Sequence, residues 1–134
     1  MIMDSRKDVA ALVGRVLLAV MFMWAGYGKI RGYDSTAGWM ASAGMPLVGV
    51  LLPLTILVEL GGGIALIAGW KARWVALLLA AFTLLATLVF HKFWTMTGDA
   101  VLPNTLYFYK NVAVIGGMLM VFAFGPGRYS VDRE

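Results

Sequence analysis

Two ionisable residues lie inside long apolar stretches of the chain, where a charge is costly. Arg15 belongs to the first stretch and Glu59 to the second. An ionisable side chain in the middle of a membrane span costs several kcal/mol unless it is paired or neutralised, so each residue is a candidate functional group. At a rise of about 1.5 Å per residue, Arg15 lies about 9 Å and Glu59 about 15 Å from the same edge of the membrane. An ion pair between Arg15 and Glu59 is therefore expected.

Two interpretations of this expected pair remain open. The pair can serve only to hold two helices in register, because buried ion pairs often contribute specificity rather than chemistry. Alternatively, Glu59 is a carboxyl group removed from water that exchanges a proton with a bound ligand.

A second polar feature is a stripe along the third apolar stretch. Thr83, Thr87 and His91 recur every four residues, which places them on one face of a helix. Threonine hydroxyls inside helices usually bond back to the preceding turn, and we expect this here. His91 is the only histidine of the chain. It could donate a hydrogen bond to a quinone carbonyl, relay a proton, or lie at the membrane interface with no further role.

Lys110 and Asn111 begin the last apolar stretch, near the face where His91 and Lys29 are expected. A lysine at a helix N-terminus opposes the helix dipole, which favours a role other than helix stability. Extension of the lysine to the lipid headgroups is the alternative. The candidate ligand-binding residues are therefore Glu59, His91, Lys110 and Asn111.

No metal site is predicted from the sequence. The single histidine, together with Glu59 and Asp99, does not form a recognisable ligand spacing.

The composition shows what kind of protein must position these residues. The chain has 134 residues, of which 61% are hydrophobic and 13% are charged, and it contains no cysteine. Soluble domains are roughly 45–50% apolar and about 25% charged. A soluble enzyme, a nucleic-acid-binding module and a disordered segment are thus excluded, and an integral membrane protein remains. Without cysteine there is no thiolate or iron–sulfur chemistry, so any redox role requires a bound cofactor.

Four apolar stretches have the length of roughly 20 residues that a helix needs to cross a bilayer. They cover residues 9–30, 47–69, 72–90 and 106–124. Strand-like alternation is missing, which argues against a barrel. The predicted fold is all-α: a single transmembrane domain over residues 1–134 that forms an antiparallel bundle of four helices. Residues 29–46 and 91–105 are expected to be connections between the spans.

The positive charges predict an orientation in the membrane. Six cations lie in the two tails and the turn between the second and third spans, and four lie at the other ends of the spans. By the positive-inside rule, both termini are expected in the cytoplasm. The first set is Arg6, Lys7, Lys71, Arg73, Arg128 and Arg133, and the second is Lys29, Arg31, Lys92 and Lys110.

Six short segments, in order along nearly the entire chain, resemble the DoxX family of small bacterial inner-membrane proteins. They are residues 13–18, 25–30, 58–63, 90–91, 110–111 and 125–132. The resemblance implies a four-helix bundle in the bacterial inner membrane. It also implies that Arg15, Glu59, His91, Lys110 and Asn111 are candidate family residues, without assigning a catalytic role to any of them.

Relatives in this family include a membrane subunit of an archaeal thiosulfate:quinone oxidoreductase and a mycobacterial partner of superoxide-detoxifying and thiol enzymes. The leading hypothesis is accordingly a membrane component of a redox or stress-response system that binds a quinone or a lipid-like ligand and works with a soluble oxidoreductase. One alternative is a non-catalytic scaffold that binds a partner or forms a homo-oligomer. A small oligomeric transporter is less favoured, because the chain has four spans and no evident inverted repeat.

Overall fold

The computed structural model describes residues 5–133, and over that range it contains five α-helices and no strand. The helices are α1 (Ser5–Arg31), α2 (Tyr33–Ser42), α3 (Val48–Ala68), α4 (Ala72–Phe90) and α5 (Val101–Phe124). Two short 3-10 helices, Phe93–Thr95 and Gly98–Ala100, join α4 to α5. All of the helices except α2 lie in segments long and apolar enough to cross a membrane. The predicted all-α membrane fold with four spans is confirmed.

The span limits agree closely with the expectation except at the last helix. This helix starts at Val101 rather than at residue 106, and Pro103 lies in its first turn. A proline is tolerated there because the first amides of a helix have no carbonyl partner within the helix.

The expected loop between the first two spans is instead partly helical, since it contains α2. A helix of 10 residues is marginal on its own in water, so packing must stabilise it. Met40 of α2 is buried, and the ring of Trp39 stacks on Phe90 of α4 with the centroids 4.3 Å apart. The predicted loop is wrong at this point because these tertiary contacts are not visible in the local sequence.

Two glycines let α1 and α3 approach each other closely. A Cβ atom added at Gly63 would lie 2.4 Å from the Cγ atom of Met23 and 3.1 Å from the carbonyl oxygen of Ala19. A Cβ atom added at Gly26 would lie 2.8 Å from Cγ of Leu60. Gly26 therefore lies level with residues 59 and 60, and the polar groups on the two helices come within reach of each other.

The C-terminal segment, residues 125–132, folds back onto the end of the bundle where α3 turns into α4. The carboxylate of Asp132 accepts hydrogen bonds from the backbone amides of Lys71 and Ala72, at 2.9 and 2.8 Å. It caps the N-terminus of α4 from a position far along the chain. The amide of Val131 donates to the carbonyl of Ala68 at 2.9 Å. These contacts close this end of the bundle.

Candidate functional site

Arg15 is buried, but the predicted ion pair with Glu59 is wrong. Its guanidinium group donates to the carbonyl oxygens of Leu66 at 2.6 Å and Ile67 at 3.2 Å, in the last turn of α3. It also donates to the carbonyls of Pro126 and Tyr129 in the C-terminal segment. The last carbonyls of a helix lack partners within the helix and form the negative end of its dipole, so they attract a cation. Arg15 therefore holds α1, α3 and the C-terminal segment together.

Glu59 pairs with Lys29 instead. The Nζ atom of Lys29 lies 2.8 Å from the Oε1 atom of Glu59, and Glu59 is only 4% exposed. Lys29 lies three residues after Gly26 and thus on the same face of α1, just beyond the point where α3 makes its close approach. Apart from Lys29, no donor among the described residues reaches Oε1 of Glu59. This oxygen retains the capacity to accept a hydrogen bond from a ligand.

The polar stripe of α4 connects to α5 through Asn111. The hydroxyls of Thr83 and Thr87 donate to the carbonyls of Leu79 and Thr83 at 2.7 and 2.6 Å, which confirms the expected bonds to the preceding turn. The side-chain nitrogen of Asn111 donates to the hydroxyl oxygen of Thr87 at 2.9 Å. This contact fixes the orientation of the Asn111 amide between the two helices.

His91 follows the last residue of α4 and is held by α5. Its Nδ1 atom lies 2.9 Å from the side-chain oxygen of Asn104, and its ring lies 5.2 Å from that of Tyr107. The ammonium group of Lys110 lies 5.6 Å from the centroid of the same tyrosine ring. Tyr107 therefore contacts both His91 and Lys110. Sequence reasoning missed Asn104, because an asparagine in the first turns of a helix looks like an ordinary helix-start residue.

One cavity of about 450 Å³ brings the four candidate ligand-binding residues together. Glu59, His91, Lys110 and Asn111 all line it, and so does Lys29. The cavity lies in the half of the bundle that is remote from the C-terminal segment. Most of its wall is apolar and comes from α1, α2, α3 and α4, including Phe22, Trp39, Met40, Leu51, Leu54, Val58, Phe82, Leu85, Val89 and Phe90.

Part of the cavity wall is also part of the outer surface of the bundle. Leu54 of α3 and Leu85 of α4 line the cavity and are 49% and 65% exposed. On a membrane-spanning helix such exposed leucines face lipid. The cavity is therefore bordered by side chains that are exposed on α3 and α4.

The DoxX family model matches residues 10–92. The chain belongs to the DoxX family. It is 44% identical to the inner membrane protein YqjF of Escherichia coli K12, over 98% of this chain and 95% of YqjF. It is 35% identical to the inner membrane protein YphA of the same organism, over 97% of this chain and 93% of YphA. It is also 30% identical to a Surfeit locus protein 4 homolog of Drosophila melanogaster, of which it covers 43%. No solved structure matches the chain.

These similarities agree with the fold and with the membrane location. The two Escherichia coli relatives are inner membrane proteins by name, and this DoxX chain has four helical segments that can cross a membrane. It is an integral inner-membrane protein of the DoxX family.

Proposed function

We propose that this DoxX protein binds a membrane-soluble amphiphile in its cavity, and that the ligand is a quinone. In this proposal the protein is the membrane component of a redox or stress-response system and works with a soluble oxidoreductase. The observation that supports the proposal is the gathering of Lys29, Glu59, His91, Lys110 and Asn111 around one mostly apolar cavity.

The size and wall of the cavity suit such a ligand. Small-molecule sites typically enclose about 300–1,000 Å³ and are mostly apolar, with a few polar groups that orient the ligand. A volume of about 450 Å³ accommodates a head group and the first part of a tail. The remaining tail would leave between α3 and α4, past Leu54 and Leu85, into the lipid.

The charges around the cavity favour an electron-rich head group. Two lysines, Lys29 and Lys110, face one carboxylate, Glu59, so the polar end carries an excess of positive charge when the lysines and the carboxylate are ionised. Lys29 is already engaged by Glu59, whereas Lys110 contacts only the face of an aromatic ring among the described residues. The ammonium group of Lys110 is therefore free to donate a charge-assisted hydrogen bond to a ligand oxygen.

A quinone is also compatible with the absence of cysteine from the chain. The chain has no cysteine and cannot pass electrons through a thiol. A quinone accepts two electrons and two protons to become a hydroquinone, which gives them up again, and polar side chains at the head group would exchange the protons. The electrons would pass to or from the soluble partner.

The experiment that tests this function compares solvent extracts of purified protein by mass spectrometry. We expect wild-type protein to carry quinone above its level in the surrounding membrane, normalised to phospholipid. Lys110→Met should reduce the bound quinone about ten-fold, since a hydrogen bond to a charged group contributes roughly 1.5–3 kcal/mol. Lys92→Met is the matched control, because Lys92 is exposed and does not line the cavity.

The Lys92→Met protein should retain the wild-type amount of quinone. Recovery of bulk phospholipid alone from the wild type would contradict the proposed function. Equal loss of quinone in both lysine variants would show that general membrane electrostatics, rather than the cavity, retains the ligand.

A further inference from the structure

The orientation of the Asn104 side chain is determined by its contacts. Its amide nitrogen donates a hydrogen bond to the carbonyl oxygen of Ala100 at 2.9 Å. Only the nitrogen of the amide can donate, so the amide oxygen is the atom that faces Nδ1 of His91, also at 2.9 Å. An amide oxygen accepts hydrogen bonds and has no proton to give. The shared proton must therefore reside on Nδ1 of His91.

This contact leaves the other ring nitrogen of His91 with a defined role. In a neutral imidazole that carries its proton on Nδ1, Nε2 is an acceptor. His91 lines the cavity, and because its Nδ1 is engaged by Asn104, Nε2 is the ring nitrogen that remains available to a ligand. Among the described residues, no side chain or backbone group is hydrogen-bonded to Nε2.

We propose that Asn104 is a positioning residue that holds His91 in this tautomer, and that Nε2 of His91 accepts a hydrogen bond from a hydroxyl group of the ligand. The proposal rests on the proposed function, because it concerns the head group bound in the same cavity. A hydroquinone has a hydroxyl proton to donate, whereas a quinone carbonyl has none. The site therefore prefers the reduced form of the ligand, and a neutral His91 does not donate to a quinone carbonyl.

The tautomer can be measured without any ligand, because His91 is the only histidine in the chain. Protein labelled with ¹⁵N-histidine gives the ring nitrogen signals of a single imidazole. We expect the neutral ring of the wild type to show a protonated Nδ1 and a bare Nε2, the reverse of the preference of free histidine. Asn104→Leu removes the acceptor and should shift the ring towards the Nε2-protonated form. Asn104→Asp keeps an acceptor oxygen and should retain the wild-type pattern.

A protonated Nε2 in the neutral wild-type ring would overturn the assignment. An Asn104→Leu spectrum identical to that of the wild type would overturn the role of Asn104. Neither result depends on whether the cavity binds a quinone.

The ligand preference is tested by anaerobic titration with decylubiquinol and decylubiquinone, which share one tail. Wild-type protein should bind the quinol about ten-fold more tightly than the quinone, the effect of one net hydrogen bond. Asn104→Leu should lose or reverse this preference without weakening the binding of the quinone, because an Nε2-protonated ring can donate a hydrogen bond to a quinone carbonyl. Asn104→Asp should keep the preference at a pH at which the imidazole of His91 is neutral, because the carboxylate retains the acceptor for Nδ1 but also favours the imidazolium form.

A purely structural role of Asn104 would weaken the binding of both probes equally, and that result would contradict the proposal. Equal affinities of the wild type for the two probes would also overturn it. If neither probe binds, the quinone function and the preference for a hydroquinone both fail, and the histidine spectra alone then decide whether Asn104 positions His91.

Discussion

At the scale of single residues, the two buried ionisable groups have different roles. Arg15 is 1% exposed, and its partners are all backbone carbonyls at one end of the bundle. Within residues 5–133, Glu59 has a single ionic partner, Lys29, and it lies on the wall of the cavity. Arg15 thus stabilises the fold, whereas Glu59 is available to a ligand.

We expect Arg15→Met to lower the free energy of unfolding by about 2–4 kcal/mol, because several carbonyls lose a charged donor in an apolar interior. The measurement is thermal or denaturant unfolding of the protein in detergent. Arg31→Met is the control, since Arg31 is exposed at the other end of the same helix, and it should change stability by less than about 0.5 kcal/mol. Equal stability of the two variants would contradict the structural role of Arg15.

At the scale of the elements, the close approach of α1 and α3 creates the polar end of the cavity. Gly26 and Gly63 allow this approach, and it brings Lys29 of α1 within 2.8 Å of Glu59 of α3. In membranes, small residues at helix contacts play this role because van der Waals packing is a main source of helix association. The site therefore depends on glycines that do not themselves touch the cavity.

Two glycines of α3 provide a matched test of this dependence. Gly63→Val should lower the free energy of unfolding by about 1–3 kcal/mol, because the added methyl groups meet the side chain of Met23 and the backbone of Ala19. Gly61→Val makes the same change in the same helix, but a Cβ atom at Gly61 would have no neighbour within 4 Å. The difference between the two variants therefore measures the effect of the contact with α1. Unfolding in detergent compares the two. A destabilisation of equal size would mean that the packing of α1 on α3 is not tight at Gly63.

At the scale of the whole molecule, the start of α1 and the C-terminal segment lie at the same end of the bundle. The amide of Arg128 donates to the carboxylate of Asp8 at 3.3 Å, and the C-terminal segment also contacts the turn between α3 and α4. The cations of both tails and of this turn are thus gathered on one side of the membrane. By the positive-inside rule, we predict that this is the cytoplasmic side.

Reporter fusions test the orientation. Green fluorescent protein fused after residue 134 should fluoresce, and alkaline phosphatase at the same position should be inactive, because both report a cytoplasmic C-terminus. Alkaline phosphatase inserted between α4 and α5, after Met96, should be active. The opposite pattern of activities would contradict the predicted orientation and place the polar end of the cavity on the cytoplasmic side.

Much of the fold could be predicted from the sequence, because crossing a bilayer demands a long apolar stretch that is visible without any partner. The third span was predicted with the limits that α4 has, and the others differ by a few residues. The helix α2 was missed because it is stabilised by contacts such as the stacking of Trp39 on Phe90. Such contacts join residues distant in the chain and leave no local pattern.

By itself, the sequence determined that the chain is a four-span membrane protein, and its membrane setting singled out Arg15, Glu59, His91, Lys110 and Asn111 as residues of interest. Only the tertiary structure decided their partners. The position of a residue along a helix predicts its depth in the membrane and the helix face on which it lies. Its partner depends on how closely two helices approach each other and on where a helix end leaves carbonyls without donors. For this reason Glu59 pairs with Lys29, Arg15 binds the end of α3, and His91 is held by an asparagine on another helix.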